Sequence, residues 1–406
     1  MTKGSSSAVI VGAGQAGLVM AATLRSEGFS GRITLLGGET YLPYQRPPLS
    51  KSVLLGATGP DNLVLRPSSF FVEQSIDLRL GVSVEAIHPA AARLELSDGS
   101  SIAYDLLGLA TGAVPRRLPS QIGGSLDGVL TLRTLDDAKS LSTQLARARS
   151  IAVIGGGYLG LEVAATSIER GLSVTVIEAS PRILQRVAAP QTSDVMRRLH
   201  IERGVTILES CQIVKILGDT RVRAVQLSDG RDIPADVIVV AIGVLPDTRL
   251  AEEAGLAIEN GICVDPTMLT SAENIWAAGD CAAFEYRGRR LRIESVGNAI
   301  DTAEVAARNM LGRHEPYAPL PWFWSDQYDH RLQIAGHNEG HDNVHARVGG
   351  AGVSHWYYRG DDLLAVDAID DSRAYMVGKR LLEMGRSPSP SLVRDPATDL
   401  KSLLRG

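Results

Sequence analysis

Residues 8–17 read Ala8-Val9-Ile10-Val11-Gly12-Ala13-Gly14-Gln15-Ala16-Gly17. An apolar run enters a turn in which Gly12, Gly14 and Gly17 keep G-x-G-x-x-G spacing; a helical pattern follows to residue 26, then a second apolar run at 32–36. This is strand, turn, helix, strand, a βαβ unit with its turn at the helix N-terminus. There the first glycine permits the tight turn, the second lets backbone N–H groups approach a pyrophosphate, and the third packs helix against strand. The spacing alone is a weak signal, since glycine turns are common. Its place between an apolar strand and a helix makes it a dinucleotide site.

The pattern recurs. Ser150–Ile154 is followed by Gly155-Gly156-Gly157-Tyr158-Leu159-Gly160, a helix at 158–170 and a strand at Ser173–Ile177 that ends on Glu178. An acid about 20 residues beyond the turn accepts from a ribose 2′-hydroxyl and repels a 2′-phosphate, which favours NADH over NADPH. Arg182, of the type that receives such a phosphate, keeps that choice open. In the first unit the strand runs into Gly37-Gly38-Glu39, so Glu39 either takes the ribose role or is a solvated loop acid. Two sites need two dinucleotides, most simply one bound flavin and one exchangeable nicotinamide. The run 270–280, ending in Ala278-Gly279-Asp280, fits a flavin, because an aspartate at such a strand end hydrogen-bonds the ribityl chain.

The repetition extends further. Hairpin material at 83–96, the turn Asp98-Gly99 and a buried strand at 106–111 ending in Gly112 are echoed by 222–227, Asp229-Gly230 and a strand at 237–242 ending in Gly243. Two related nucleotide-binding domains follow from this. After Pro319 the composition changes to Pro321-Trp322-Phe323-Trp324 and short alternating runs, which suggests a separate α+β domain. A linker at 387–390 leads to a final helix expected at 399–404.

At 406 residues, with roughly 100–200 per domain, the chain holds two or three domains. Its 44% hydrophobic and 21% charged residues supply several cores. A net charge of −5 argues against nucleic-acid binding, which needs clustered excess Lys and Arg. Cys211, Cys263 and Cys281 form no CxxC pair, so neither a disulfide framework nor a zinc ribbon is expected, and a reducing cytoplasm suits them. The glycines interrupt what could pass for a signal peptide at 1–24, and no run of about 18 apolar residues spans a bilayer. His337, His341 and His345 recur in helical spacing, but the glycines around them disfavour a helix, and no metal is expected. Gly4 to Ser7 reads as a frayed terminus.

Taken together, Arg46-Pro47-Pro48-Leu49-Ser50-Lys51, Ala110-Thr111-Gly112, Leu132-Arg133-Thr134, the turn at Gly155, Ala278-Gly279-Asp280-Cys281-Ala282, Ile293-Glu294-Ser295-Val296 and Pro321-Trp322-Phe323-Trp324-Ser325-Asp326-Gln327 resemble the FAD-dependent pyridine nucleotide oxidoreductases, in their putidaredoxin-reductase-like ferredoxin reductase branch. The resemblance covers the chain from about residue 8 to its end. It implies a glutathione-reductase-like α/β fold: a discontinuous FAD domain (1–113 and 246–320), an NAD domain (114–245) and a C-terminal α+β domain (321–406). It implies FAD contacts from Ala16, Arg46, Lys51, Val84, Ala110, Thr111, Gly112, Arg133, Asp280 and Val296 besides Gly12, Gly14, Gly17 and Glu39. NAD contacts fall to Gly155, Gly157, Tyr158, Leu159, Gly160, Glu178 and Gly243. Gly38 departs from the family, whose members near this branch carry an acid there.

By the same resemblance Lys51 pairs with Glu162 beside the flavin as the catalytic set, and the helix near Ser295 aims its N-terminus at the pyrimidine ring. Trp324 lies near the flavin edge or packs in a core. Relatives that reduce disulfides carry a CxxxxC near 43–51; no cysteine precedes Cys211 here, so electrons leave the flavin directly. The implied acceptor is a small 2Fe-2S ferredoxin serving a haem-thiolate monooxygenase or a dioxygenase, with rubredoxin as the alternative and a monomer as the expected state. Arg287, Arg289, Arg290 and Arg292 either steer an acidic ferredoxin or form a solvated hairpin. A reading of another class is a flavoprotein sensor that uses NADH as a conformational ligand.

Overall fold

A computed structural model describes residues 6–286, 288–350 and 352–405. The chain forms two compact units. One draws on the chain up to Gln45, Asp61–Val114 and Val244–Pro319, the other on Arg46–Pro60, Pro115–Gly243 and the chain from Leu320.

In the first unit Ser7–Val11 sits inside a five-stranded parallel sheet ordered Ile275–Ala277, Leu106–Leu109, Ser7–Val11, Arg32–Gly37, Ile76–Leu80. The strands at 8–11 and 33–37 are buried along their length. Covering both faces of a parallel sheet requires such continuous apolar runs. Helices Gln15–Ser26 and Val296–Met310 pack together, contributing Leu18, Met20, Leu24, Ala303, Ala306 and Ala307 to the core. The expected hairpin is a three-stranded antiparallel sheet, Val84–His88, Arg93–Leu96 and Ser101–Ala103. Ser7 is not frayed: it opens the first strand and is tied to Asp105 through its backbone N–H and its hydroxyl.

The second unit repeats the design. Its parallel sheet runs Thr206–Leu208, Ser173–Ile177, Ser150–Ile154, Val237–Val240, Val129–Leu130, with Tyr158–Glu169 following the central strand. An antiparallel sheet of Ile213–Gly218, Val222–Leu227 and Asp232–Pro234 stands where the first unit has its own. The C-terminal segment builds an antiparallel sheet ordered Trp322–Gln327, His330–Gly336, Asp362–Ile369, Val353–Arg359, Asn343–Val348, and helix Ser372–Glu383 packs on Asp362–Ile369. The architecture is therefore two Rossmann-like halves with a C-terminal α+β segment. The linker at 387–390 is held to the sheet, since Leu363 N–H donates to Ser387 Oγ and Tyr358 hydroxyl donates to the Pro388 carbonyl. It leads into a short helix, Pro390–Arg394, and the expected final helix is a 3-10 helix, Leu400–Leu404, capped by Asp399.

Candidate functional site

In the first unit the chain leaves its strand at Gly12 with φ +106°, and a Cβ there would lie 2.1 Å from the Ala110 carbonyl oxygen. A Cβ on Gly17 would lie 1.8 Å from the Gly12 oxygen, which is why helix and turn meet only through glycine. Gly14 differs, with no heavy atom within 4 Å of its Cβ position. It is the N-cap of Gln15–Ser26, and no side chain caps that helix. Open space at the middle glycine, facing uncapped N–H groups at the positive end of a 12-residue helix, suits a pyrophosphate. The residues fit the phosphate-bearing part of FAD.

Some of the other predicted residues lie beside this turn. Gly279, before Asp280, has φ +77°, and its Cβ position lies 3.0 Å from Ala16 Cβ. The Asp280 turn is fixed by Gly279 N–H donating to Thr302 Oγ1 at 2.9 Å and by Arg292 Nη1 donating to the Asp280 carbonyl at 3.1 Å. Val296 is the first residue of its helix, whose N-cap Ser295 accepts from Asn298 N–H at 3.1 Å. Ala110 is buried, Thr111 hydroxyl donates to the Asp247 carbonyl at 2.6 Å, and the Gly112 carbonyl accepts from Asp247 N–H. Val84 is buried at the start of its strand. Glu39 is held by the Tyr44 hydroxyl, which donates to its Oε2 at 2.6 Å, so it is a positioned carboxylate rather than a freely solvated one.

Arg292 keeps 7% exposure and pairs with Glu294 at 2.7 Å, and Arg290 pairs with Glu259 at 3.2 Å. Arg287 lies outside the described residues. Among those residues no group of His, Cys, Asp and Glu is arranged to hold a metal, and His345 lies in strand Asn343–Val348. No helix of the described residues is long and apolar enough to cross a membrane.

The second unit carries the matching cradle. Gly155 has φ +106° with its Cβ position 2.4 Å from the Ala241 oxygen, a Gly160 Cβ would lie 2.0 Å from the Gly155 oxygen, and Gly157 is open. Glu178 is anchored by the Gly156 and Ser180 N–H groups, each donating at 2.7 Å. Arg182 turns to Ser193 Oγ and the Gln185 carbonyl. Gly243 has φ +95° and its carbonyl accepts from Arg116 N–H. Tyr158 opens the helix with its ring 4.4 Å from that of Phe323, and Leu159 follows, partly exposed.

Tyr158, Glu162 and Thr166 recur every fourth residue and so share one helix face. That face meets the turn Pro47–Ser50, where Thr166 hydroxyl donates to the Ser50 carbonyl at 2.8 Å and Lys51 Nζ pairs with Glu162 Oε1 at 3.0 Å. Lys51 and Glu162, 111 positions apart in sequence, are thus brought together as the resemblance implies. Arg46 donates to the Arg133 carbonyl at 2.7 Å, while Arg133 N–H donates to Asp137. Trp324 stacks on Trp322, ring centroids 5.6 Å apart. Sequence reasoning did not find that Ser50 and Ser325 donate to Glu162, nor that Gln327 and His200 stand behind Ser325; the local signals were Ser50 beside Lys51 and Ser325 and Gln327 inside the Trp-rich run.

Compared with known families, residues 6–303 match the pyridine nucleotide-disulphide oxidoreductases and residues 322–404 the reductase C-terminal family. The chain is 42% identical over 400 residues to rhodocoxin reductase of Rhodococcus erythropolis, covering 97% of this chain and 93% of that protein. It is 39% identical over 405 residues to putidaredoxin reductase of Pseudomonas putida, covering 98% and 96%. Among solved structures, a covalent putidaredoxin reductase–putidaredoxin complex aligns with a TM-score of 0.94 at 39% identity, over 98% of each chain.

Proposed function

The chain belongs to the pyridine nucleotide-disulphide oxidoreductase family, and on that premise we propose that it passes electrons from NADH through FAD to a small 2Fe-2S ferredoxin that serves an oxygenase. It is an FAD- and NADH-dependent flavoprotein of the ferredoxin reductase type. The observation that carries the electron-transfer reading is the pair of glycine cradles, each closed by carbonyl contact at its first and third glycines and open at its middle one. We assign FAD to the cradle at Gly12, within 1–113 and 246–320, and NADH to the cradle at Gly155, within 114–245.

Bound FAD supplies the chemistry of accepting a hydride and releasing its electrons singly. The chain's own residues bind and orient. Gly14 and Gly157 leave room for each pyrophosphate, Glu178 offers its remaining lone pairs to a ribose, and the fixed turn at Gly279 presents Asp280. Lys51, charge-paired with Glu162, is assigned the role of stabilising negative charge as the flavin is reduced. With cysteines only at 211, 263 and 281, no dithiol near 43–51 intervenes. We further propose a cytoplasmic monomer that binds neither nucleic acid nor membrane.

The test is steady-state reduction of a small 2Fe-2S ferredoxin, and separately of a rubredoxin, with NADH and with NADPH. Fast ferredoxin reduction by NADH is the expected result. Preference for rubredoxin would move the acceptor to that class, and flavin that bleaches with NADH but reduces neither protein would identify a sensor. Lys51→Ala should keep FAD while flavin reduction slows; an unchanged rate would remove Lys51 from the mechanism.

A further inference from the structure

Glu162 is contacted on both carboxylate oxygens. Ser50 hydroxyl donates to Oε2 at 2.6 Å, and Ser325 hydroxyl donates at 2.6 Å to Oε1, the oxygen that also meets Lys51 Nζ. From this end every proton in the surrounding chain can be assigned. A carboxylate has no hydrogen to give, so Ser325 is the donor, and its Oγ can then only accept from Gln327 Nε2 at 3.0 Å. That orients the amide. Gln327 Oε1 faces His200 Nε2 at 2.7 Å and takes an N–H from it. A neutral His200 with its proton on Nε2 leaves Nδ1 to accept from the Tyr328 hydroxyl at 3.0 Å.

Burial supports this assignment, pushing His200 down to about 4 and Tyr328 above the usual phenol range, so both are neutral near pH 7. Ser325, Gln327 and His200 are 0%, 1% and 0% exposed. Tyr328 is the partly exposed end, with Arg203 over its ring at 4.5 Å.

We infer that Ser325, Gln327 and His200 are positioning residues, a one-way series of donors that fixes the Glu162 carboxylate and through it the Lys51 ammonium used in hydride transfer. The inference rests on the role assigned to Lys51 above. Donors aligned head to tail polarise one another, so each link strengthens the last donation onto Glu162. The series does not carry protons, because the Gln327 amide would have to pass through its imidic acid form and Glu162 has no hydrogen to send outward. Its effect is geometric and electrostatic.

The experiment uses the FAD-bound protein and three variants, Ser325→Ala, Gln327→Leu and Lys51→Ala. Stopped-flow flavin reduction by NADH is measured with an equilibrium titration of the flavin midpoint potential against a dye. Ser325→Ala, which loses a hydrogen bond to a charged group, should slow flavin reduction by about 10- to 100-fold, and Gln327→Leu, which leaves that bond in place, should slow it less. The KM for NADH should hold, and the potential should move negative as a less neutralised Glu162 offsets more of the Lys51 charge. Wild-type rate and potential in Ser325→Ala and Gln327→Leu, beside slow reduction in Lys51→Ala, would overturn the inference and leave the role of Lys51 intact. Wild-type reduction in Lys51→Ala would overturn both. A readout independent of variants and of turnover is nitrogen NMR of His200 in the unaltered protein. The neutral Nε2–H form is expected, and an Nδ1–H form would break the donor order and the inference with it.

Discussion

Glu162→Leu would leave Lys51 Nζ without its carboxylate and the Ser50 and Ser325 hydroxyls without their acceptor. Removing one member of a buried pair costs about 3–5 kcal/mol. The 19% exposure of the Lys51 side chain places this case near the lower end. Urea unfolding of the variant should therefore show about 3 kcal/mol less stability than the parent. The pair itself was legible in sequence only through the resemblance. Nothing local joins Lys51 to Glu162, and still less joins Glu162 to Ser325 or Gln327 to His200, because those contacts are made by strands and helices that meet after folding. The close approaches of the glycines were legible because they follow from spacing within one βαβ unit. Arg292 shows the opposite error. Clustered arginines read as a surface patch, yet three carbonyl and carboxylate acceptors draw it to 7% exposure.

The two glycine turns allow a sharper test than deletion, because positions of the same residue type differ in what surrounds them. Gly17→Ala would force a Cβ into the Gly12 carbonyl, whereas Gly14→Ala meets no atom of the protein. Gly17→Ala should lose both FAD and thermal stability, and Gly14→Ala should keep the fold while weakening FAD retention, as flavin absorbance and melting will report. Helix Leu135–Leu145 begins with a capping box in which Thr134 Oγ1 accepts from Asp137 N–H and Asp137 accepts from Thr134 N–H. Thr134→Ala should cost about 1 kcal/mol, read as a shift in the urea midpoint. Long elements were legible because continuous apolar strands and amphipathic helices declare their period. The helix read at 14–26 is Gln15–Ser26, and that at 158–170 is Tyr158–Glu169. The final helix was legible in place but not in type, because Leu400-Lys401-Ser402-Leu403-Leu404 is too short for its apolar spacing to separate an α-helix from a 3-10 helix.

Stability of the whole molecule should peak near pH 6.5. Burial lowers His200 and His355 from 6.5 to about 4, so between those values the unfolded chain binds more protons and stability falls as the solution is acidified. Each contributes up to about 3 kcal/mol across that window. Asp367 acts oppositely. Burial raises its carboxyl from 3.8 to about 7, against the hydrogen bonds of Tyr357 and Thr192, with Tyr158 nearby and His355 on the far side of Thr192. The folded state therefore keeps a proton the unfolded state has lost, and stability declines as pH rises from about 4 through 7. Asp367→Asn should steepen the gain between pH 4 and 6.5 and abolish the loss up to 7, measured as urea midpoints across pH. The threading of the first unit has a different consequence, one of timing. Its parallel sheet places Ile275–Ala277 beside Leu106–Leu109, so a ribosome making about 5–20 residues per second leaves that edge open for on the order of ten seconds after the first four strands emerge. Throughout that interval the nascent chain exposes an unpaired, apolar strand edge, which marks it as a client for chaperones during synthesis and as a point where overproduction turns to aggregation.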